Sequence, residues 1–470
     1  MRKSLALIGL ALPLFARAGP EAQAQALLDA MRELSGVPGM AAAVWRDGRL
    51  RWQGVSGWRD VEQRLPVQAD TRFRLASVSK VFAAVAVVQL QAAGRLDVDA
   101  PVGPLLPELA PPLVALTPRQ LAAHLSGLPH YEWRDAGRGR VHHASARDAL
   151  GHLEGRPLLS APGSRYHYSS WGYTLLAATA EAAAGRPYLE LLAREVAPGL
   201  DIGPDETGRS SAMSQAYVLG GAGPQPAPAH DFSYSLGGAG LAASAPALAA
   251  WGGRLLQGRV VGAAAREAMW QPNRDGAGQP VGERDFRVGF GWRIGADAEG
   301  RRLVHHAGST LGARSVLLLW PQEAGEVGEG GSSVALLANA MWTSAIERSA
   351  ELLSAPLREP LPGLAEAPCP VQAGRFEGEL DGQPIQGLAR FERDAEGLCR
   401  GELGLPAPLA AAVNRAPQPA AARLFVIGLQ GGLARAALVT PIGLADWRAQ
   451  ADGSHVVGDL AGHRLVMRMR

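Results

Sequence analysis

The stretch Arg74-Leu-Ala-Ser77-Val-Ser-Lys80-Val-Phe-Ala-Ala-Val-Ala-Val-Val-Gln-Leu90 is apolar on nearly every side from Val81 onward. A segment with that pattern is a buried helix, not a surface one with a single apolar stripe. Ser77 stands where the helix begins, and Lys80 follows one turn along on the same face. A serine hydroxyl is a poor nucleophile until a base takes its proton. A lysine can be that base only where burial or a positive neighbour lowers its pKa, and an otherwise apolar helix is such a setting. The chain holds 46 Lys and Arg together, yet lysine occurs only at Lys3 and Lys80. Arginine cannot release its proton in a protein and lysine can. The one lysine beyond the leader therefore sits where deprotonation is useful.

Outward from this helix, 470 residues are enough for two or three domains. With 47 % hydrophobic and 19 % charged residues, the balance is globular. A net charge of +2, with no basic run interleaved with aromatics, suggests neither a nucleic-acid binder nor a surface built to hold anionic membranes. Residues 1–18 have the plan of a secretory signal peptide: Arg2 and Lys3, an apolar run from Ser4 to Phe15, then Ala16-Arg17-Ala18 as a cleavage site. Ala22-Gln23-Ala24 is a second candidate site. No later run reaches 18 apolar residues, so no integral membrane segment is expected after cleavage. The expected location is periplasmic or secreted, and in an oxidising compartment Cys369 and Cys399 are expected to pair.

In chain order, residues 21–34 read as a helix, and 39–57 as a hairpin turning at Arg46-Asp47-Gly48. Thr117-Pro118 opens a capped helix, and residues 145–153 and 174–184 read as further helices. Tyr168 precedes the last of these, so its hydroxyl can reach into a cleft. Residues 204–231 read as a long loop, 245–256 as a helix, and the runs within 287–340 as strands, with a helix at 343–353 closing the unit. Strands at both ends with helices between them give an α/β (α+β) domain over residues 25–355. A Pro-, Leu- and Glu-rich linker at 356–370 leads to residues 371–470, whose short β-type runs predict a small barrel or sandwich. No Gly-x-Ser-x-Gly and no His-Glu-x-x-His occurs, which argues against an α/β-hydrolase and a zinc hydrolase. His142-His143 and the other scattered histidines read as surface or structural groups, and no metal site is expected.

Ser77-x-x-Lys80, then Tyr168-x-x before a helix, then His306-x-Gly308 on a late strand resembles the serine β-lactamase and penicillin-binding-protein superfamily. The similar branch holds class C β-lactamases, D-Ala-D-Ala carboxypeptidases, D-aminopeptidases and β-lactamase-like esterases. His124-x-Ser-Gly-Leu128, Pro162-Gly163, Gly237-Gly238, Gly289 to Trp292 and Asn339 fit in order, over about residues 25–355. The resemblance implies a β-lactamase/transpeptidase-like fold and a covalent acyl-enzyme working on a small-molecule or peptide substrate without a cofactor. It makes Ser77 the nucleophile, Lys80 the residue that keeps it deprotonatable, and Tyr168 the general base. The backbone N–H groups of Ser77 and Ser309 would form the oxyanion hole, and His306 would lie near the substrate carboxylate or carbonyl. One departure stands out. The branch mostly has Tyr-x-Asn, whereas this chain has Tyr168-Ser169-Ser170. A serine hydroxyl is shorter than the asparagine amide and donates one proton. Together with histidine in the place of a permanently charged lysine, it points toward a peptidase or esterase. The alternatives are a class C-like β-lactamase and a non-catalytic penicillin-binding or sensor protein.

Overall fold

The computed structural model describes residues 19–132, 135, 137–322, 331–358, 374–394, 399–404, 421–430, 433–450, 456–460 and 463–469. The expected signal peptide, Cys369, the side chain of Cys399 and residues 359–370 of the expected linker lie outside the described residues.

The hairpin at Asp47-Gly48 joins β1 (Gly39–Arg46) to β2 (Arg49–Asp60), and both glycine and aspartate there take the left-handed conformation that such a tight turn needs. These strands and β3 (Leu65–Pro66) form one side of a nine-stranded antiparallel sheet. Its other strands come from late in the chain: β4 (Gly282–Glu283), β5 (Phe286–Val288), β6 (Arg293–Ala296), β7 (Arg302–Thr310), β8 (Ala313–Trp320) and β9 (Ser332–Ala338). The spatial order is β3-β2-β1-β9-β8-β7-β6-β5-β4, so the first hairpin pairs with the last strand. Asn339 fastens this junction: its Oδ1 accepts from Gly39 N at 2.8 Å, and its Nδ2 donates to Trp58 O at 3.0 Å. It has a structural place in the sheet.

β1, β8 and β9 are buried along most or all of their length because helices cover both sheet faces. One face packs on α1 (Pro20–Ser35) and the helix Ile346–Arg358. The other packs on the helix Ala245–Leu256 and on α2 (Ser79–Ala92), the buried helix expected from the apolar run. Phe82 of α2 meets the Trp251 ring with centroids 4.1 Å apart. Burying a side chain of that size contributes about 2–3 kcal/mol. Beyond α2 lies the helical part of the domain, with α3 (Pro118–Ala122) and α4 (Ser170–Ala184). Thr117 and Gln120 cap α3 reciprocally, as the Thr-Pro start predicts.

Four local expectations are corrected. α4 begins at Ser170, not Thr174, because the Ser169 hydroxyl caps it by accepting from Gly172 N at 3.0 Å. Residues 204–231 contain a short hairpin, Tyr217–Gly220 with Gly223–Pro226. The segment expected as a helix at 145–153 is a 3₁₀ turn at Asp148–Leu153. The closing helix runs on to Arg358, so residues 356–358 belong to it and not to a linker. Its end is held by Arg358, whose Nε donates to Ser354 Oγ at 2.9 Å and whose guanidinium lies over the Trp320 ring.

Eight strands between Gly374 and Met469 close into an antiparallel barrel. The strands Ala421–Gln430, Leu433–Thr440 and Gly443–Gln450 lie against α1 and the helix Ile346–Arg358. Phe425, Ala437, Val439 and Leu444 join the core beneath those helices.

Candidate active site

The chain approaches Ser77 through Phe73-Arg74, which pair with Ala242-Ala243. Arg74 is buried and its Nε donates to Asp205 Oδ2 at 2.7 Å, anchoring the approach. Leu75 N donates to Leu241 O at 2.8 Å, and Leu75 O accepts from Ser315 Oγ at 2.6 Å. Ala76 then takes a left-handed conformation, φ 45°. That geometry costs a residue with a Cβ about 1–2 kcal/mol, and it turns the chain abruptly into the 3₁₀ turn Ala76–Val78 that opens α2. Ser77 is thus half-buried at a helix start, where backbone N–H groups have no helical partner.

Lys80 is fully buried, and its Nζ has three acceptors: Ser77 Oγ at 3.2 Å, Ser170 Oγ at 2.8 Å and Gly238 O at 2.8 Å. None is a carboxylate. Burial, with the Arg293 charge adding to it, therefore holds the ammonium below its ordinary range, against the pull of Tyr168. Gly238 is tightly enclosed. A Cβ there would stand 2.5 Å from Ser235 Oγ and 3.0 Å from Ser170 O, so glycine lets this carbonyl come up to the lysine.

Tyr168 is fixed by its backbone neighbours. His167 N donates to His124 O at 2.8 Å, Ser169 N donates to His124 Nδ1 at 3.1 Å, and Ser169 Oγ donates to Pro129 O at 2.7 Å. The Tyr168 ring then lies on the His124 ring, centroids 4.4 Å apart, with Lys80 Nζ 4.8 Å from its own centroid. Burial pushes the phenol up, but the Lys80 and Arg293 charges and hydrogen bonding with Lys80 and Ser77 outweigh it and hold the group below its ordinary value. His124 is kept neutral, well below the usual imidazole range, by burial and by the Lys80 and Arg293 charges. Its Nδ1 accepts, so its proton is on Nε2.

β7 closes the other side. A Cβ on Gly308 would overlap Leu75 O and the Ser315 hydroxyl and stand 3.0 Å from Ser77 N. Glycine therefore brings the strand onto the serine turn, and the exposed Ser309 follows directly. His306 is buried on the strand face toward α2, where its Nδ1 donates to Ala307 O at 2.8 Å and leaves Nε2 as an acceptor. Burial and the Arg293 and Lys80 charges hold it neutral, well below the ordinary value. His305 turns to the opposite face, 4.0 Å from Glu347.

The structure thus gathers Ser77, Lys80, Tyr168, Ser170, His306 and Gly308 with Ser309. Ser170 is placed under the cleft, its hydroxyl buried and occupied by Lys80. Three participants were missed in the sequence. Arg293 stands opposite His305 in the β6–β7 register, 3.6 Å from Glu347, and its field reaches Lys80, Tyr168, His124 and His306. Its signal was adjacent, since Gly289 to Trp292 ends one residue before it. Tyr131 and Ser235 meet through their hydroxyls at 2.7 Å beside Ser170, and no motif marks them. Asp297, Glu299 and Glu351 are the one group with ligand atoms close enough for a metal among the described residues, and Arg435 fills it, its Nη1 2.9 Å from Glu299.

The family described as Beta-lactamase matches residues 24–355. The chain belongs to the beta-lactamase family. Relatives of this β-lactamase-family chain include the mouse mitochondrial serine beta-lactamase-like protein LACTB, 26 % identical over 398 residues, covering 63 % of this chain and 72 % of that protein. Esterase EstB of Burkholderia gladioli is 35 % identical over 202 residues, 38 % of this chain and 49 % of the esterase. D-aminopeptidase of Gluconobacter oxydans is 27 % identical over 336 residues, 69 % of this chain and 59 % of the relative. Among solved structures, the octameric penicillin-binding protein homologue from Pyrococcus abyssi shares the fold with a TM-score of 0.60 at 20 % identity, covering 94 % of this chain and 99 % of that one. These relatives make the chain a serine hydrolase of the β-lactamase and penicillin-binding-protein kind. No helix among the described residues is long and apolar enough to cross a membrane.

Proposed function

We propose that the chain is an exported hydrolase that cleaves an amide or ester through an acyl-enzyme on Ser77, as a peptidase or esterase and not as a class C-like β-lactamase. The observation that carries this reading is the buried Lys80, 3.2 Å from Ser77 Oγ, beside a Tyr168 phenol held below its ordinary value. The Lys80–Tyr168 pair takes the proton from Ser77 Oγ as that oxygen bonds to the substrate carbonyl carbon. Charge collects on the carbonyl oxygen, which faces the N–H groups of Ser77 and Ser309; such a donor is worth about 3–4 kcal/mol. When the C–N or C–O bond breaks, the pair returns the proton to the leaving amine or alcohol. Water then loses a proton to the same pair, attacks the acyl carbon and frees Ser77.

Substrate class follows from Ser170 and His306. The Ser170 hydroxyl is engaged by Lys80, so no side-chain amide stands there to bind the acyl-side amide of a β-lactam. His306 is neutral, held so by burial and by the fields of Arg293 and Lys80, so no permanently charged side chain takes the place of the family's lysine at that position. The names of the esterase and D-aminopeptidase relatives, and of a D-amino acid amidase of the same fold, support the reading.

Intact mass after a fluorophosphonate probe should show one adduct, absent from Ser77→Ala; an adduct that survives that change overturns the role of Ser77. Lys80→Arg keeps the charge without the proton exchange, and turnover should fall by about 10²–10⁴-fold. Rates on a p-nitrophenyl ester, a D-Ala-D-Ala peptide and a chromogenic cephalosporin should rank the cephalosporin last. If it ranks first, the substrate class is wrong, and labelling without turnover of any substrate would favour a non-catalytic penicillin-binding role. Cell fractionation that retains the chain in the cytoplasm would overturn export.

A further inference from the structure

Arg314 stands opposite Ser309 in the β7–β8 register and is buried. Its guanidinium places three donors on backbone carbonyls of two separate segments. Nη1 donates to Gly308 O at 3.0 Å, Nε to Thr343 O at 2.8 Å and Nη2 to Ser344 O at 2.8 Å. The Gly308 carbonyl and the Ser309 N–H are the two ends of one planar peptide group. An arginine that fixes the carbonyl end therefore fixes the direction of the N–H end. Its charge also draws electron density toward the carbonyl oxygen and makes that N–H a stronger donor. The Thr343 arm of the fork leads to the barrel. Thr343 Oγ1 accepts from Ala345 N at 3.0 Å and donates to Ile442 O, in the turn that joins the strands Leu433–Thr440 and Gly443–Gln450. Two residues on, Leu444 N donates to Ser349 Oγ at 3.1 Å. Gly443 lets the turn come this close: its φ is 132°, and a Cβ would stand 2.9 Å from Ser349 Oγ and 3.1 Å from Thr343 Oγ1.

We infer that Arg314 is a positioning residue for the Ser309 oxyanion donor and that the barrel supports it, through a path of hydrogen bonds from Ile442 to Thr343 to Arg314 to the Gly308–Ser309 peptide. The inference rests on the acyl-enzyme reading, in which the Ser309 N–H meets the carbonyl oxygen as charge collects there. An arginine suits the task because its planar fork holds strand and loop in one geometry, where a lysine is a single point charge on a flexible stem. The barrel then takes part in the hydrolysis without touching substrate: its turn sets Thr343, Thr343 sets the guanidinium, and the guanidinium sets the peptide beside Ser77. Gly308 is held from both sides in this way, by Arg314 at its carbonyl and by the Leu75 and Ser77 backbone where a side chain would be.

Labelling of wild type at Ser77 is measured first; no labelling overturns the acyl-enzyme reading and this inference with it. The test then uses full-length Arg314→Lys, Thr343→Val, Gly443→Ala and the Arg314→Lys/Thr343→Val double variant, with kcat and KM on a p-nitrophenyl ester and the melting temperature of each. Lysine keeps the charge but cannot hold three carbonyls. In Arg314→Lys, kcat should fall by about tenfold or more with KM within about twofold, because the Ser309 N–H meets its full charge only in the transition state. The acyl-enzyme carbonyl stretch, read by infrared difference spectroscopy, should move to higher wavenumber in that variant, a signature that lost stability alone does not produce. Thr343→Val and Gly443→Ala disturb the barrel end of the path and should each lower kcat by about threefold. In the Arg314→Lys background, Thr343→Val should add little, since both act through one path. With Ser77 labelling intact, an Arg314→Lys kcat within about twofold of wild type, an unmoved carbonyl stretch, or effects that multiply in the double variant overturns the inference alone. If Arg314→Lys does not fold, the two barrel-end variants decide, and wild-type kcat in both overturns it.

Discussion

At the scale of single residues, charge placement shapes the candidate site, and among the described residues no carboxylate is a hydrogen-bond partner of Lys80. Lys80 has only neutral acceptors, so its ammonium is stabilised by hydrogen bonds and opposed by burial. Arg293 adds a second positive charge whose field lowers Lys80 and Tyr168 together. Both groups lose a proton more readily for it, and the active singly protonated pair forms at lower pH. Arg293→Met removes that field, so both groups should hold their protons longer. The acid limb of kcat/KM is then expected to move to higher pH. A pH–rate profile of the variant checks this, and an unmoved limb would mean that Glu347, 3.6 Å away, already cancels the arginine.

At the scale of elements, the site is an encounter of one helix start, one loop and one strand. α2 presents Ser77 and Lys80, the His124–Pro129 segment holds Tyr168, and β7 lies across the serine turn at Gly308. The strand contact leaves no room for a methyl group, since a Cβ would meet the Leu75 carbonyl and Ser77 N, both backbone atoms that cannot rotate aside. Gly308→Ala should therefore push β7 off Ser77 and displace the proposed oxyanion donors, lowering kcat by about 10²-fold or more while the far-ultraviolet circular dichroism stays native. Turnover within a few-fold of wild type would show that the strand can yield without opening the site.

At the scale of the molecule, the barrel and the hydrolase domain are joined by a buried ion cluster. Arg435 reaches across with Nη1 2.9 Å from Glu299, Nη2 3.4 Å from Glu351 and Nε 3.2 Å from Asp446, and Arg448 Nη2 lies 2.8 Å from Glu299. Burial raises the pKa of Glu351, so this carboxylate depends on its arginine partners to stay charged. Arg435→Met removes the cation that Glu299 and Glu351 share, leaving Glu299 with Arg448 and Glu351 with Arg348, so the cost should stay below the roughly 3–5 kcal/mol of a buried charge left wholly unpaired. Urea unfolding followed by tryptophan fluorescence should show a lower midpoint or a separate early transition for the barrel. Because Arg435 occupies the place a cation would take, a chelator should leave the wild-type midpoint unchanged; a fall on adding the chelator would assign a metal to the Asp297–Glu299–Glu351 group.

What the chain determines by itself is what neighbours in sequence can encode. The all-round apolar pattern of residues 81–90 commits α2 to burial, Thr117-Pro118 sets a helix start, Asp47-Gly48 sets a hairpin, and Ser77-x-x-Lys80 puts two groups on one helical turn. Those are local consequences of backbone geometry and of excluding apolar side chains from water. Pairings between distant segments had no such local mark. Ser170, expected on the substrate side, is turned onto Lys80, Arg293 acts through a field across two strands, and the Tyr131 hydroxyl meets Ser235 only because residues 131 and 235 converge. Fields and hydrogen-bond chains depend on distances in space, so the partners that tune the lysine were decided by the tertiary structure alone.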